Sequence, residues 1–264
     1  MKKVLILISV ILYSVFFSQQ KNDQSDLKVL YYMVMASDST LLKNKDKASF
    51  FSFSLVCNAK KSIYADETAK AYYNYIQDNV GNYGLPSISS YPKSKSSVYK
   101  DGDKLLVTLP IGRKNLYRYE EPALQWELIK DQHKTILSYS CHLAKATSDT
   151  GKVYYAWYTP AIPLPEGPFR FKGLNGLILE VYNEEKTIII SAVEIAKVKE
   201  RIEPLKYVTV YDVSKTQFLK KRKEFILDPN DGYISPYKGY GPDGKEIKIE
   251  RQEPIDIKEN NMLD

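Results

Sequence analysis

Apolar and polar residues alternate along much of this chain, and clusters of Gly, Pro, Asp and Ser interrupt the alternation at short intervals. Leu27 to Ala36 reads as a first strand, bounded by Asp38-Ser39-Thr40. Ser49 to Cys57 alternates cleanly, with Phe51, Phe53, Leu55 and Cys57 on one face. The period then changes: Ala69, Tyr72, Tyr73 and Ile76 recur at helical spacing, which predicts a helix over Asp66–Asp78. Asn79 to Ser97 reads as a loop. Val98 to Leu109 reads as a hairpin turning at Asp101-Gly102, a pair suited to a tight turn.

Further strands are expected at Leu116–Tyr119, Gln125–Ile129 and Thr135–Ala144, with Lys130–Lys134 as a polar turn holding His133. The turn Ser148-Asp149-Thr150-Gly151 leads into Val153–Thr159. Leu177–Tyr182 and Thr187–Ile195 make a hairpin around Asn183-Glu184-Glu185-Lys186. Strands spaced this closely, without helices between them, indicate an antiparallel meander. A second helix spans Val213–Phe225 and carries the basic run Lys220-Lys221-Arg222-Lys223, read as a solvated face or as a contact for anionic lipid or polysaccharide. From Asp228 to Asp264, Pro, Gly, Asp, Lys and Glu dominate, with at most one short strand at Ile247–Ile249, so residues 228–264 are expected to form a flexible polar tail. The 22 tyrosines concentrate in strand-like segments, which tilts the fold toward β. The expected architecture is mainly β: an antiparallel, curved, half-barrel-like sheet with about two helices.

The N-terminus sets the compartment. Met1-Lys2-Lys3 is basic, Val4–Phe17 carries no charge, and Ser18 supplies a small residue for cleavage. About 14 apolar residues suit a signal-peptide core better than a membrane span. Residues 1–18 are therefore read as a signal peptide and residues 19–227 as one β-rich domain. The protein is expected to be exported, either periplasmic or secreted, with no transmembrane segment in the mature chain. The formal net charge of +6 falls by two when Lys2 and Lys3 leave. Lysines and carboxylates are interspersed, which argues against a nucleic-acid partner.

Chemistry is sparse. Cys57 and Cys141 are an even pair in an exported chain, which favours one disulfide, worth up to roughly 4–5 kcal/mol for so long a loop; two unpaired thiols are the alternative. Adjacent residues Cys141 and His142 point to opposite faces of a strand and do not share a metal, and zinc-type ligand spacing is absent. No nucleophile elbow, metalloprotease motif or Gly-rich phosphate loop occurs. Neither a metal nor a cofactor is expected, and no catalytic residue is assigned.

One segment stands out. Ala156-Trp157-Tyr158-Thr159 runs into Pro160, Ile162-Pro163, Pro165 and Gly167-Pro168, then Phe169 and Phe171, and re-enters a strand through Gly173-Leu174-Asn175-Gly176-Leu177-Ile178. Together with Trp126 and the block from Lys134 to Ala146, this order resembles the GLPGLI family of secreted Bacteroidetes-type proteins, for which no reaction is established. Asn175 stands where the family name has Pro; both residues suit a turn. Two readings of the segment stand. In one it is architectural: prolines stop strand pairing, and Gly173 and Gly176 permit turns or close approach. In the other, Trp157, Tyr158, Phe169 and Phe171 line a rigid mouth that receives an apolar ligand. The strand order is also loosely similar to periplasmic lipoprotein carriers with half-barrel sheets. The functional expectation is a non-catalytic binding or carrier protein for an apolar ligand, a peptide or another envelope protein; the alternative is an envelope hydrolase, peptidase-like, with an unrecognised site.

Overall fold

The computed structural model describes residues 23–78, 92–112, 115–227, 239–240, 242–243 and 245–247. The signal-peptide reading and most of the 79–97 connection and of the tail lie outside the described residues. Within them, twelve strands form one open sheet: β1 (Leu27–Met35), β2 (Ser49–Cys57), β3 (Lys61–Asp66), β4 (Ser97–Asp101), β5 (Lys104–Ile111), β6 (Asn115–Glu120), β7 (Trp126–Ile136), β8 (Tyr139–Thr147), β9 (Val153–Thr159), β10 (Leu177–Asn183), β11 (Ile188–Ala196) and β12 (Tyr211–Asp212). Their spatial order is β12-β6-β5-β4-β3-β2-β1-β11-β10-β9-β8-β7. Neighbours are antiparallel except β12, which runs parallel to β6. Two helices, α1 (Ala69–Asp78) and α2 (Lys215–Leu227), accompany the sheet, and β13 (Gly239–Tyr240) pairs separately with β14 (Glu246–Ile247). No helix among the described residues is long and apolar enough to cross a membrane.

The mainly β expectation holds, with local corrections. β3 is a strand that the sequence pattern did not mark. Asn58 makes that hairpin possible: its side-chain carbonyl accepts the N–H groups of Lys60 and Lys61, both at 2.8 Å. Asp66 ends β3 rather than starting the helix, and its carboxylate accepts from Thr68 and from the Lys93 and Ser94 N–H groups. The expected turn at Lys130–Lys134 is a bulge inside β7. The chain reverses later, at Leu137-Ser138, where both residues have positive φ (49° and 69°) although neither is Gly or Asn.

The sheet curls around residues 160–176. The Lys100 ammonium, on β4, lies 2.7 Å from Glu166 of that segment, and the Trp126 indole N–H, on β7, donates to the Lys172 carbonyl at 2.8 Å. Glu166 and Lys172 touch each other at 2.6 Å. Yet β4 and β7 are eight strand steps apart, on the order of 38 Å along the sheet. Only a strongly curved sheet brings both to one segment. Its concave face carries the main core, including Val29, Tyr31, Leu55, Tyr64, Val98, Val107, Tyr154, Ala156, Val181 and Ile190. α2 closes one end, seating Phe218 against Tyr119 with ring centroids 4.8 Å apart. α1 packs on the other face of β2 and β3, where Ala69 and Tyr73 meet Val56, Ile63 and Ala65.

The expected Cys57–Cys141 disulfide is overturned: both cysteines are free and buried. β2 and β8 stand five strand steps apart, on the order of 24 Å along the sheet, whereas a disulfide needs Cα atoms within about 7 Å. The two also face opposite ways. Cys57 pairs in register with Leu27 and Ser62 on the concave side, and Cys141 lies across from Lys134 on the convex side. Burial pushes the Cys57 thiol up to about 12 and raises that of Cys141 as well. Two thiols should titrate after unfolding without reductant, react slowly in the native protein, and leave the melting temperature indifferent to dithiothreitol. A melting temperature that falls on reduction would restore the disulfide.

Candidate functional site

The segment from Pro160 to Gly176 folds back on itself. The Leu177 N–H donates to the Ile162 carbonyl (3.0 Å), the Ile178 N–H to the Glu166 carbonyl (2.9 Å), and the Gly173 N–H to that of Pro165 (3.1 Å). Inside this brace the Phe171 N–H reaches the Pro168 carbonyl at 3.0 Å and the Gly176 N–H reaches that of Leu174 at 2.8 Å. Four prolines remove donors that no strand could satisfy here, so the backbone closes locally instead of joining the sheet. From the sheet side, the Tyr31 hydroxyl donates to the Ile178 carbonyl at 2.6 Å.

The brace carries Phe169, Phe171 and Leu174 into the concavity, where all three are buried. Phe171 packs on Tyr154 at 4.8 Å and lies 6.3 Å from Phe169. Phe169 takes a positive φ of 48° to turn inward. Tyr158 lines the same face and is also buried. Trp157 does not join them. As the residue before Tyr158 on a strand, it points to the convex side, opposite Glu180, with the Lys134 ammonium 5.9 Å from its ring. The remaining motif residues divide by burial: Gly167, Pro168, Gly176, Leu177 and Ile178 are buried, Ile162 is half-buried, and Pro163, Gly173 and Asn175 face solvent.

Charges within this apolar segment tie it to the sheet. Glu166 is fully buried between Lys172 (2.6 Å) and Lys100 (2.7 Å), and the Lys172 ammonium also donates to the Gly167 carbonyl at 3.0 Å. Burial alone would push the Glu166 carboxyl up; the two ammonium groups outweigh it and hold the carboxyl below its ordinary range. Arg170, the largest fully buried side chain, lies 2.5 Å from Glu121, which leads out of β6. Lys215, at the start of α2, bridges Glu121 (2.8 Å) and Asp149 (2.6 Å) of the β8–β9 turn. Burial raises the Glu121 carboxyl despite the opposing pull of Arg170 and Lys215. No guanidinium nitrogen of Arg170 makes an aligned hydrogen bond among the described residues, so charge alone pairs it. A signal was available: Phe169-Arg170-Phe171-Lys172 alternates charge with aromatic rings inside an apolar stretch, and charges carried into such a stretch require partners.

The arrangement is a plug. One segment fills a curved sheet, and buried ion pairs fasten it to β4 and to the end of β6, where Glu121 is shared with Lys215 of α2. The buried carboxylates Glu166 and Glu121 are each paired with two cations.

A family model described as a protein of unknown function, Porph_ging, matches residues 145–180, from the end of β8 through the plug into β10. No curated protein matches the chain. Among solved structures, one described as PNGF-II aligns with a TM-score of 0.50 and 11% identity, covering 76% of this chain and 34% of that one. The chain thus spans about a third of that protein, and the likeness is one of fold. An uncharacterized conserved protein from Thermus thermophilus aligns at a TM-score of 0.37 and 9% identity, covering 74% of this chain and 94% of that one. A LolA superfamily protein from Nitrosomonas europaea aligns at 0.27 and 11%, covering 70% and 90%.

Proposed function

We propose that this chain is an exported, non-catalytic binding protein of the cell envelope, a GLPGLI-type protein whose residues 160–176 occupy the place of an apolar ligand and give way to it. In this reading residues 1–18 are a signal peptide, 19–227 the folded unit and 228–264 a tail. The observation that carries the proposal is how the plug is attached. It braces itself internally, and polar ties join it to distant strands. Opening a buried ion pair returns both ions to water, which offsets much of the Coulomb energy lost. A plug fastened by charge therefore leaves at lower cost than an equally large apolar one. Its departure uncovers Tyr158 and the apolar concave face, and Phe169 and Phe171 become the rim.

The test is binding of a fluorescent long-chain fatty acid to the wild type and to two variants that cut ties without stranding a buried charge. Lys100→Met leaves the Glu166–Lys172 pair intact, and Trp126→Phe removes only the indole donor. If a closed plug competes with the ligand, apparent affinity rises tenfold for each ~1.4 kcal/mol by which a variant favours the open form. Both variants should bind more tightly than the wild type while melting slightly lower. Absence of saturable binding in all three proteins would end the carrier reading.

A further inference from the structure

The two histidines of the chain, nine residues apart in sequence, face each other across β7 and β8. A bulge brings them together. Ile129 pairs with Leu143, so a regular ladder would set Lys130 opposite His142. Instead Lys130, Asp131 and Gln132 are extruded, Asp131 at a φ of 59°, and His133 takes the position opposite His142. Bulges commonly re-aim a side chain in this way beside functional sites. The imidazole centroids lie 4.9 Å apart with planes at 72°, and the Tyr158 ring stands 5.9 Å beyond His142 in the same row. His133 is exposed and His142 half-buried, so the pair opens to solvent. Cys141 and Lys134, next to them in sequence, point to the convex face and take no part.

We infer that His133 and His142 chelate one divalent transition-metal ion. With metal–nitrogen bonds of 2.0–2.1 Å, two imidazoles bound cis or tetrahedrally to one ion place their ring centroids roughly 4.5–5 Å apart. The observed 4.9 Å falls in that interval. Neutral imidazole suits Cu²⁺, Ni²⁺ and Zn²⁺ and gives Mg²⁺ and Ca²⁺ nothing they prefer. No group of three or more His, Cys, Asp or Glu converges among the described residues, so the remaining coordination positions fall to water or to an exchangeable ligand. The site stands apart from the plug's ion pairs and does not depend on the carrier reading.

The experiment uses the untagged full chain, titrated with Cu²⁺, Zn²⁺ and Mg²⁺ against a weak competing chelator, alongside His133→Gln, His142→Gln and the double variant. The wild type should take up one Cu²⁺ more tightly than Zn²⁺ and take up no Mg²⁺. Its Cu²⁺ spectrum by electron paramagnetic resonance should show two imidazole nitrogens, falling to one in each single variant. Loss of a direct ligand costs at least the roughly tenfold in affinity that loss of an outer-shell partner costs, so each single variant should bind at least about tenfold more weakly. His133 is exposed, so His133→Gln should melt like the wild type without metal and keeps the test clear of misfolding. No saturable uptake by the wild type, uptake unchanged in the double variant, or loss in His142→Gln alone would each overturn the shared site.

Discussion

Gly176→Val should be strongly destabilised, whereas Gly173→Ala should be a mild lesion, although both residues belong to the same turn. Gly176 has a φ of 153°, and a Cβ built on it would lie 2.7 Å from the Thr159 carbonyl carbon, closer still to its oxygen, and 3.0 Å from the Pro160 Cα. These are backbone atoms at the point where β9 ends and the plug begins. Leu177 pairs with Thr159 in the ladder, so the two chains cannot separate without unzipping the start of β10. The unfavourable torsion alone costs about 1–3 kcal/mol, and the overlap adds a similar amount. Gly173 has a φ of 95° but open space around the position of a Cβ, so Ala there bears only the cost of the torsion. For a folded unit of this size each kcal/mol lowers the melting temperature by about 2–4 °C. Urea and thermal melts should therefore show a drop of about 10 °C or more for Gly176→Val and a few degrees for Gly173→Ala. Equal losses would mean that torsion dominates and the close approach to Thr159 is relieved easily.

Much of the strand series was legible because one face of each strand is buried and the period-2 pattern survives. β2 runs from Ser49 to Cys57 as its alternation indicates, and the Asp101-Gly102 turn has the positive φ at Gly102 that such a pair supports. The reading failed where position in the sheet overrides local pattern. β7 is an edge strand with most residues exposed, so nothing marks Lys130–Lys134 as strand. The turn at Leu137-Ser138 uses positive φ without the residues that announce it. The His133–His142 pair was hidden for the same reason, since it depends on a three-residue bulge inside β7, at residues that read as a turn between two strands. The plug's aromatic residues were visible, but their separation was not. Trp157 and Tyr158 are adjacent in sequence and therefore on opposite faces of a strand, and only the sheet order shows which face is concave. The cysteine pair failed on distance, a property of topology that no count of cysteines contains.

In the second buried cluster the effect should be asymmetric: Glu121→Gln should destabilise far more than Arg170→Met. Glu121 has two cationic partners, Arg170 at 2.5 Å and Lys215 at 2.8 Å. Removing the guanidinium leaves Glu121 still paired with Lys215. Removing the carboxylate strands Arg170, whose side chain is fully buried and whose other anion, Asp149, lies 3.7 Å away and is 43% exposed. A buried charge deprived of its partner costs about 3–5 kcal/mol, whereas replacing a whole buried pair by apolar groups of similar volume is often neutral or stabilising. Methionine nearly matches the aliphatic length of Arg170 and, being flexible, adapts to irregular buried space. The double variant Arg170→Met/Glu121→Gln should therefore recover most of what Glu121→Gln loses, with a coupling energy of about 1–3 kcal/mol in a denaturation cycle. Simple additivity of the two variants would show that Arg170 is not held by Glu121. The same cycle bears on why a sheet would retain charge in its core: an apolar version of this cluster should fasten the plug as firmly, yet lose the return of charge to water that lowers the cost of opening. If the double variant is as stable as the wild type but binds fatty acid more weakly, the ion pair serves release of the plug and not its stability.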